Sequence, residues 1–281
     1  MRAVTPPLNI AQLNRRLADI AREQRVTIAR VRLMLCTLVV SQMLPDAVAI
    51  KGGMGIKLRM GERGTRATAD LDVSTRDRGA SFEEEFRARL AHGWGAVPAS
   101  TRALRANPEA PDRVAFTGAL RLGRVHDPGL ARPQYVMHPY RVTLSFLGRE
   151  WAGLDVEVSD PEIEPRAHSR RSIDGELAEL GAVFGFGELR PVELIDLEHQ
   201  IAQKIHAVTD PDFVRAHDLE FRRAQQWPPL PLRPMDDWGV AYDEARQETE
   251  VDGSTPVLVD IAAAREWLER VITEIESRAS T

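Results

Sequence analysis

The chain has 281 residues, of which 43% are hydrophobic, 28% charged and 6% aromatic, with a formal net charge of -5. A chain of this length removes roughly three-quarters of its extended-state surface from water, which suits one large domain or two ordinary ones. The lone Cys36 excludes a disulfide framework and a cysteine zinc site. No apolar run approaches the ~20 residues of a membrane span, and MRAVTPPLNIAQLNRR lacks the core of a secretory signal, so a cytoplasmic protein with no membrane partner is expected.

The charge is unevenly spread. Residues 1–69 hold 12 Lys and Arg against 4 Asp and Glu, whereas the stretch from residue 234 onward holds 4 against 12. A basic first quarter can face phosphates, although solvated helix faces give the same count. Only three of 37 basic residues are lysines, namely Lys51, Lys57 and Lys204. Such sparing use suggests positions where a compact ammonium is wanted in place of a planar fork.

In chain order, Ile10, Leu13, Leu17 and Ile20 recur at helical spacing, and Ile28, Val31, Leu35, Leu38 and Val39 predict a second helix that Pro45 stops. AVAIKGG (47–53) reads as a short buried strand entering a glycine turn. TADLDV (68–73) alternates as a strand, with Asp70 and Asp72 on one face. A helix over 81–94 has Ser81 as its expected cap, and strands are expected at 112–122, 134–147 and 150–159. The polar, proline-bearing stretch 161–172 suggests a boundary, dividing a core at 1–165 from a mainly helical region at 166–281. In that second region Leu194, Leu197, Ile201, Ile205 and Val208 form one helical stripe, and a last helix is expected from Pro256. The order implies an α/β (α+β) protein with a mixed sheet.

Common catalytic signatures are absent. GGMGIKL is neither a Walker loop nor G-x-G-x-x-G, and there is no G-x-S-x-G elbow and no H-E-x-x-H helix. What stands out is a strand ending in Gly52-Gly53, followed by a strand carrying Asp70 and Asp72. Carboxylates at i and i+2 share a face and can share divalent ions, the arrangement two-metal phosphoryl transfer requires. Alone, D-x-D describes a solvent-facing edge equally well. A third acid strengthens it: in LDVEV (154–158) either Asp155 or Glu157 completes a triad if the two strands are neighbours. Mg²⁺ suits a few carboxylates plus substrate phosphates. Paired glycines admit a triphosphate to the backbone. Lys204, flanking an apolar stripe, suits a point-charge contact to that triphosphate, and Lys57 and Arg66 lie near the glycines in sequence.

The run KGGMGIKLRMGERGTRATADLDV resembles the opening signature of the AbiEii/AbiGii (MenT-like) nucleotidyltransferase toxins, through Gly52, Gly53, Arg66, Thr68, Asp70 and Asp72. A second run, LIDLEHQIAQKIHAVTDPDFVRAHDLEF, is similar to that family's helical lysine motif and its Arg-x-(Lys/His)-Asp-Leu sequel, through Lys204, Arg215, His217 and Asp218. The resemblance implies a DNA-polymerase-β-like core with a helical C-terminal region. It also implies NTP and Mg²⁺ as ligands, with Asp155 as the third carboxylate and Thr68 and Asp218 beside the nucleotide. It further implies a toxin, paired with an antitoxin protein, that adds nucleotides to RNA at the tRNA 3′ end and so blocks translation. The alternatives are a phosphotransferase acting on protein and an inactive protein that binds RNA or its antitoxin.

Overall fold

A computed structural model describes residues 5–61, 68, 70–75, 79–123, 137–160, 169–197, 199–200, 239–240, 242–243 and 258–279. These fall into two compact units. The first holds the described residues up to Ile195, and the second those from Asp196 onward.

The first unit begins with two helices, α1 (Ile10–Gln24) and α2 (Ile28–Ser41). Each starts at a side-chain cap: Asn9 accepts from the Gln12 N–H at 2.9 Å, and Thr27 from the Arg30 N–H at 3.2 Å. Such caps satisfy helix-end donors that have no acceptor inside the helix. Helix α1 buries one stripe, Leu13, Leu17 and Ile20, whereas α2 is buried continuously from Met34 to Ser41. A helix apolar around its circumference belongs in a core. The end of α2 is fastened to the later chain by Gln42, whose amide donates to the Arg190 carbonyl at 3.0 Å and accepts the Arg190 N–H at 2.8 Å.

The remaining elements of this unit are β1 (Ala49–Ile50), α3 (Gly52–Met60), β2 (Asp70–Ser74), α4 (Ala80–His92), β3 (Trp94–Val97), α5 (Thr101–Ala106), β4 (Arg113–Leu122), β5 (His138–Phe146), β6 (Arg149–Ser159), β7 (Ser169–Ser172), α6 (Gly175–Phe184) and β8 (Val192–Ile195). The strands form one mixed sheet in the order β3-β4-β5-β6-β2-β1-β8-β7. Strand β2 runs parallel to β6, and β1 parallel to β8; the other neighbours are antiparallel. One sheet face carries Phe116, Tyr140, Val142, Leu144, Leu154, Val156 and Val158, all buried. Helix α2 packs against β6 there and α4 against β4. Phe116 anchors the aromatic part of the core, 5.1 Å from Phe146 and 5.0 Å from Phe186 between ring centroids. The buried Tyr140 keeps its hydroxyl satisfied by donating to Glu83 at 3.0 Å.

This is the mixed α+β architecture expected, with three local corrections. Gly52-Gly53 is the first turn of α3 and not a loop. Helix α4 is capped at Gly79, so Ser81 sits inside its first turn. Leu194, placed by its spacing on a helical stripe, lies in β8, because 192–195 finds ladder partners on both sides, in β1 and in β7. Strands β7 and β8 also carry the sheet of the first unit beyond residue 165. In the second unit the described residues include α7 (Ile261–Ala279). No helix among the described residues is long and apolar enough to cross a membrane.

Candidate active site

The site grows from the centre of the sheet. In β2 the apolar Leu71 and Val73 turn inward and are fully buried, which leaves Asp70 and Asp72 half-buried on the other face. Strand β6 does the same with Leu154, Val156 and Val158 against Asp155 and Glu157. The parallel register sets Asp70 beside Asp155 and Asp72 beside Glu157.

Of the two candidate third acids, Glu157 joins the pair. Carboxylate oxygens of Asp70, Asp72 and Glu157 all lie within 4.8 Å of one another. Asp155, expected from the family resemblance, is drawn the other way: Arg141 on β5 donates to its Oδ2 at 2.5 Å. The Asp155 side chain is 60% exposed. Burial, followed by the charges of Asp70 and Asp155, pushes the Glu157 carboxyl above the usual carboxylate range, and Lys51 pulls it partly back. Three crowded oxygen donors of this hardness suit a small divalent cation.

Chain geometry brings a helix N-terminus to the same place. After Ile50 pairs with Val73, the Lys51 N–H donates to the Asp72 carbonyl at 2.9 Å, and α3 starts at the next residue. The first N–H groups of any helix lack intrahelical acceptors and carry partial positive charge. Gly52 has φ +66°, and a Cβ on it would lie 1.9 Å from Asp72 Oδ2, so only glycine fits. A Cβ on Gly53 would stand 2.6 Å from the Thr68 hydroxyl. That hydroxyl is buried with no hydrogen-bond partner among the described residues, so it is a polar atom aimed at the turn with capacity to spare. Helix α3 is held by Arg59, whose guanidinium donates to the Ile195 carbonyl at 2.9 Å.

Two lysines belong to the segment that opens here: Lys51 is the N-cap of α3 and Lys57 lies within the helix. Lys57 is buried in α3, roughly 7–8 Å along the helix axis from Gly52 at 1.5 Å rise per residue. Lys51 was not assigned a role by sequence reasoning, yet it is only 6% exposed and stands next to Asp72 across the β1–β2 pair, in the row that continues to Glu157. Its signal was a lysine closing an apolar strand in a chain that otherwise uses arginine. Arg66, Lys204 and Asp218, with Arg215 and His217, lie outside the described residues.

No protein-family model matches the chain, and no curated protein matches it. Among solved structures it is similar to MenT4, a nucleotidyltransferase toxin from Mycobacterium tuberculosis H37Rv, at 16% identity and a TM-score of 0.42, over 72% of this chain and 60% of that one. It is also similar to JHP933 from Helicobacter pylori, at 13% identity and a TM-score of 0.41, over 88% of this chain and 92% of that one. The chain thus spans 60% of the length of MenT4.

Proposed function

We propose that this protein is a nucleotidyltransferase toxin that moves a nucleoside monophosphate from an NTP to the 3′ hydroxyl of an RNA, with the tRNA 3′ end as acceptor. The observation that carries this reading is the Asp70–Asp72–Glu157 cluster set against the glycine-opened N-terminus of α3. A carboxylate cluster alone is an edge feature. Placed against backbone N–H groups that receive phosphate oxygens, it has the two halves that transfer from a triphosphate requires.

In this reading Asp70, Asp72 and Glu157 hold Mg²⁺. When bound, such ions offset the charge on the attacking and leaving oxygens. The first N–H groups of α3 at Gly52 and Gly53 and the orphan Thr68 hydroxyl receive the phosphates. Lys57 adds positive charge, and the family resemblance implies the same part for Arg66 and Lys204 and a nucleotide contact for Asp218. The RNA hydroxyl attacks the α-phosphorus, its proton passes to a Glu157 oxygen, and the α–β phosphoanhydride bond breaks with its electron pair leaving on pyrophosphate. Asp155, already paired with Arg141, has a positioning role. As a toxin the protein acts in the cytoplasm and has a cognate antitoxin as its partner.

The test is incubation with Mg²⁺, total RNA and each NTP, labelled in parallel reactions on the α-phosphate, which follows nucleotide transfer, and on the γ-phosphate, which follows phosphoryl transfer. Label in tRNA supports the reading. Label in protein with none in RNA replaces it with phosphoryl transfer onto protein, and no label in either leaves a binding protein. Growth arrest on expression without an antitoxin tests the toxin role.

A further inference from the structure

The row of side chains through Asp70 and Asp155 continues across the sheet. Asp155 stands opposite Arg141 on β5, and Arg141 stands opposite Arg121 on β4. Like charges placed directly across two strands destabilise a sheet. Only one is compensated: Asp155 pairs with Arg141, while exposed Arg121 has no acidic partner among the described residues.

The backbone makes room for this arrangement. Gly153 lies two residues before Asp155 on the same face, and a Cβ there would come within 2.7 Å of the Arg141 guanidinium nitrogen Nη2 and 2.9 Å of its Nε. The guanidinium therefore lies against the strand, its long side chain already ordered, and half of the side chain remains exposed. Beside it the register places Thr143 opposite Gly153 and Ala119 opposite Thr143. These are small or hydroxyl-bearing residues with no acid among them. At about 4.8 Å per strand, Arg141 and Arg121 stand roughly 10 and 14 Å from Asp70 across the sheet.

We infer that Arg121 and Arg141 form a phosphate-binding track for the acceptor RNA, which holds the strand just upstream of its 3′ end and feeds that end to Asp70, Asp72 and Glu157. The inference rests on the proposed function for its choice of RNA. Its charge and its adjacency to the cluster describe backbone contacts, which position a strand without selecting sequence. The track lies outside the basic first quarter of the chain.

The test uses the full chain and a fluorescein-labelled tRNA transcript with a free 3′ hydroxyl, without NTP. Anisotropy gives Kd over a range of NaCl concentrations. Arg121→Gln is expected to weaken binding about threefold to tenfold and to reduce the salt slope by ~1, and Arg121→Glu to weaken it further. Arg102→Gln, an exposed change on α5, should bind like wild type. Equal affinity and equal slope for Arg121→Gln and wild type would overturn the track, as would wild type that fails to bind tRNA. Binding of poly-L-glutamate in place of tRNA, lost in Arg121→Gln, would overturn the RNA assignment in favour of an acidic protein. Mg²⁺-dependent thermal stabilisation, present in wild type and absent in Asp72→Asn, reports on the carboxylate site separately, so failure of the track is distinguishable from failure of the transferase reading.

Discussion

Replacing Glu157 by Gln should make the metal-free protein more stable while destroying its response to Mg²⁺. At an effective dielectric of about 20, two unit charges at the 4.8 Å limit of this cluster repel by about 3.5 kcal/mol. The cluster is only half-buried, so solvent screening reduces the relief from removing one charge to on the order of 1 kcal/mol, or roughly 2–4 °C in Tm. The sign follows from the elevated Glu157 carboxyl. A carboxyl that holds its proton more tightly when folded weakens the fold as pH rises through the interval between its unfolded and folded values. The gain of Glu157→Gln should therefore be full at pH 7 in EDTA and vanish below about pH 4, the unfolded range. Adding Mg²⁺ should reverse the order, because wild type gains a ligand-linked increment that the variant lacks. Asp155→Asn, which removes an exposed ion pair, should shift Tm by no more than about 1–3 °C and keep the Mg²⁺ response. The measurement is thermal unfolding at pH 4 and pH 7, with EDTA and with Mg²⁺. A Glu157→Gln protein less stable than wild type in EDTA at pH 7, or one with an undiminished Mg²⁺ shift, would refute the reasoning.

Asp70→Asn or Asp72→Asn should reduce nucleotide transfer to background with no loss of Tm, checked on labelled tRNA. Gly52→Ala must leave its φ of +66° or displace the Asp72 carboxylate, at about 1–3 kcal/mol, with transfer lost as well; unchanged melting would contradict the contact. Lys51→Met should destabilise the protein in EDTA by on the order of 1 kcal/mol, because the half-buried acids lose the buried ammonium beside them, and Mg²⁺ should restore part of this in a melting experiment. Burial pushes the Cys36 thiol up to about 12, so maleimide at pH 7 should label it only once the protein unfolds, as followed by mass spectrometry.

Periodicity in the chain was enough to place much of this fold. The alternation in 154–158 put Val156 and Val158 inside and Asp155 and Glu157 outside, and the pleat alone guaranteed that Asp70 and Asp72 share a face. Both are properties of one strand, which neighbouring residues determine. The stripes of α1 and α2 were legible for the same reason. Where two periods fitted, the local signal failed. Leu194 and Leu197 match helical spacing, yet 192–195 joined β1 and β7, because a ladder on both sides satisfies more backbone groups than local spacing reveals.

The choice between Asp155 and Glu157 was open to no reading of one strand. It depended on Arg141, fourteen residues earlier and on the adjacent antiparallel strand, reaching Asp155 over the space at Gly153. It depended equally on the parallel register that set Glu157 beside Asp72. In the same way Gly52-Gly53 announced a close approach without saying to what, and only the pairing of β1 with β2 revealed Asp72 as the group that excludes a side chain there. Sequence alone therefore determined which residue types face outward together, since that follows from the geometry of a single element. Tertiary structure decided which of them meet, since register and cross-strand partners arise only when distant segments pair.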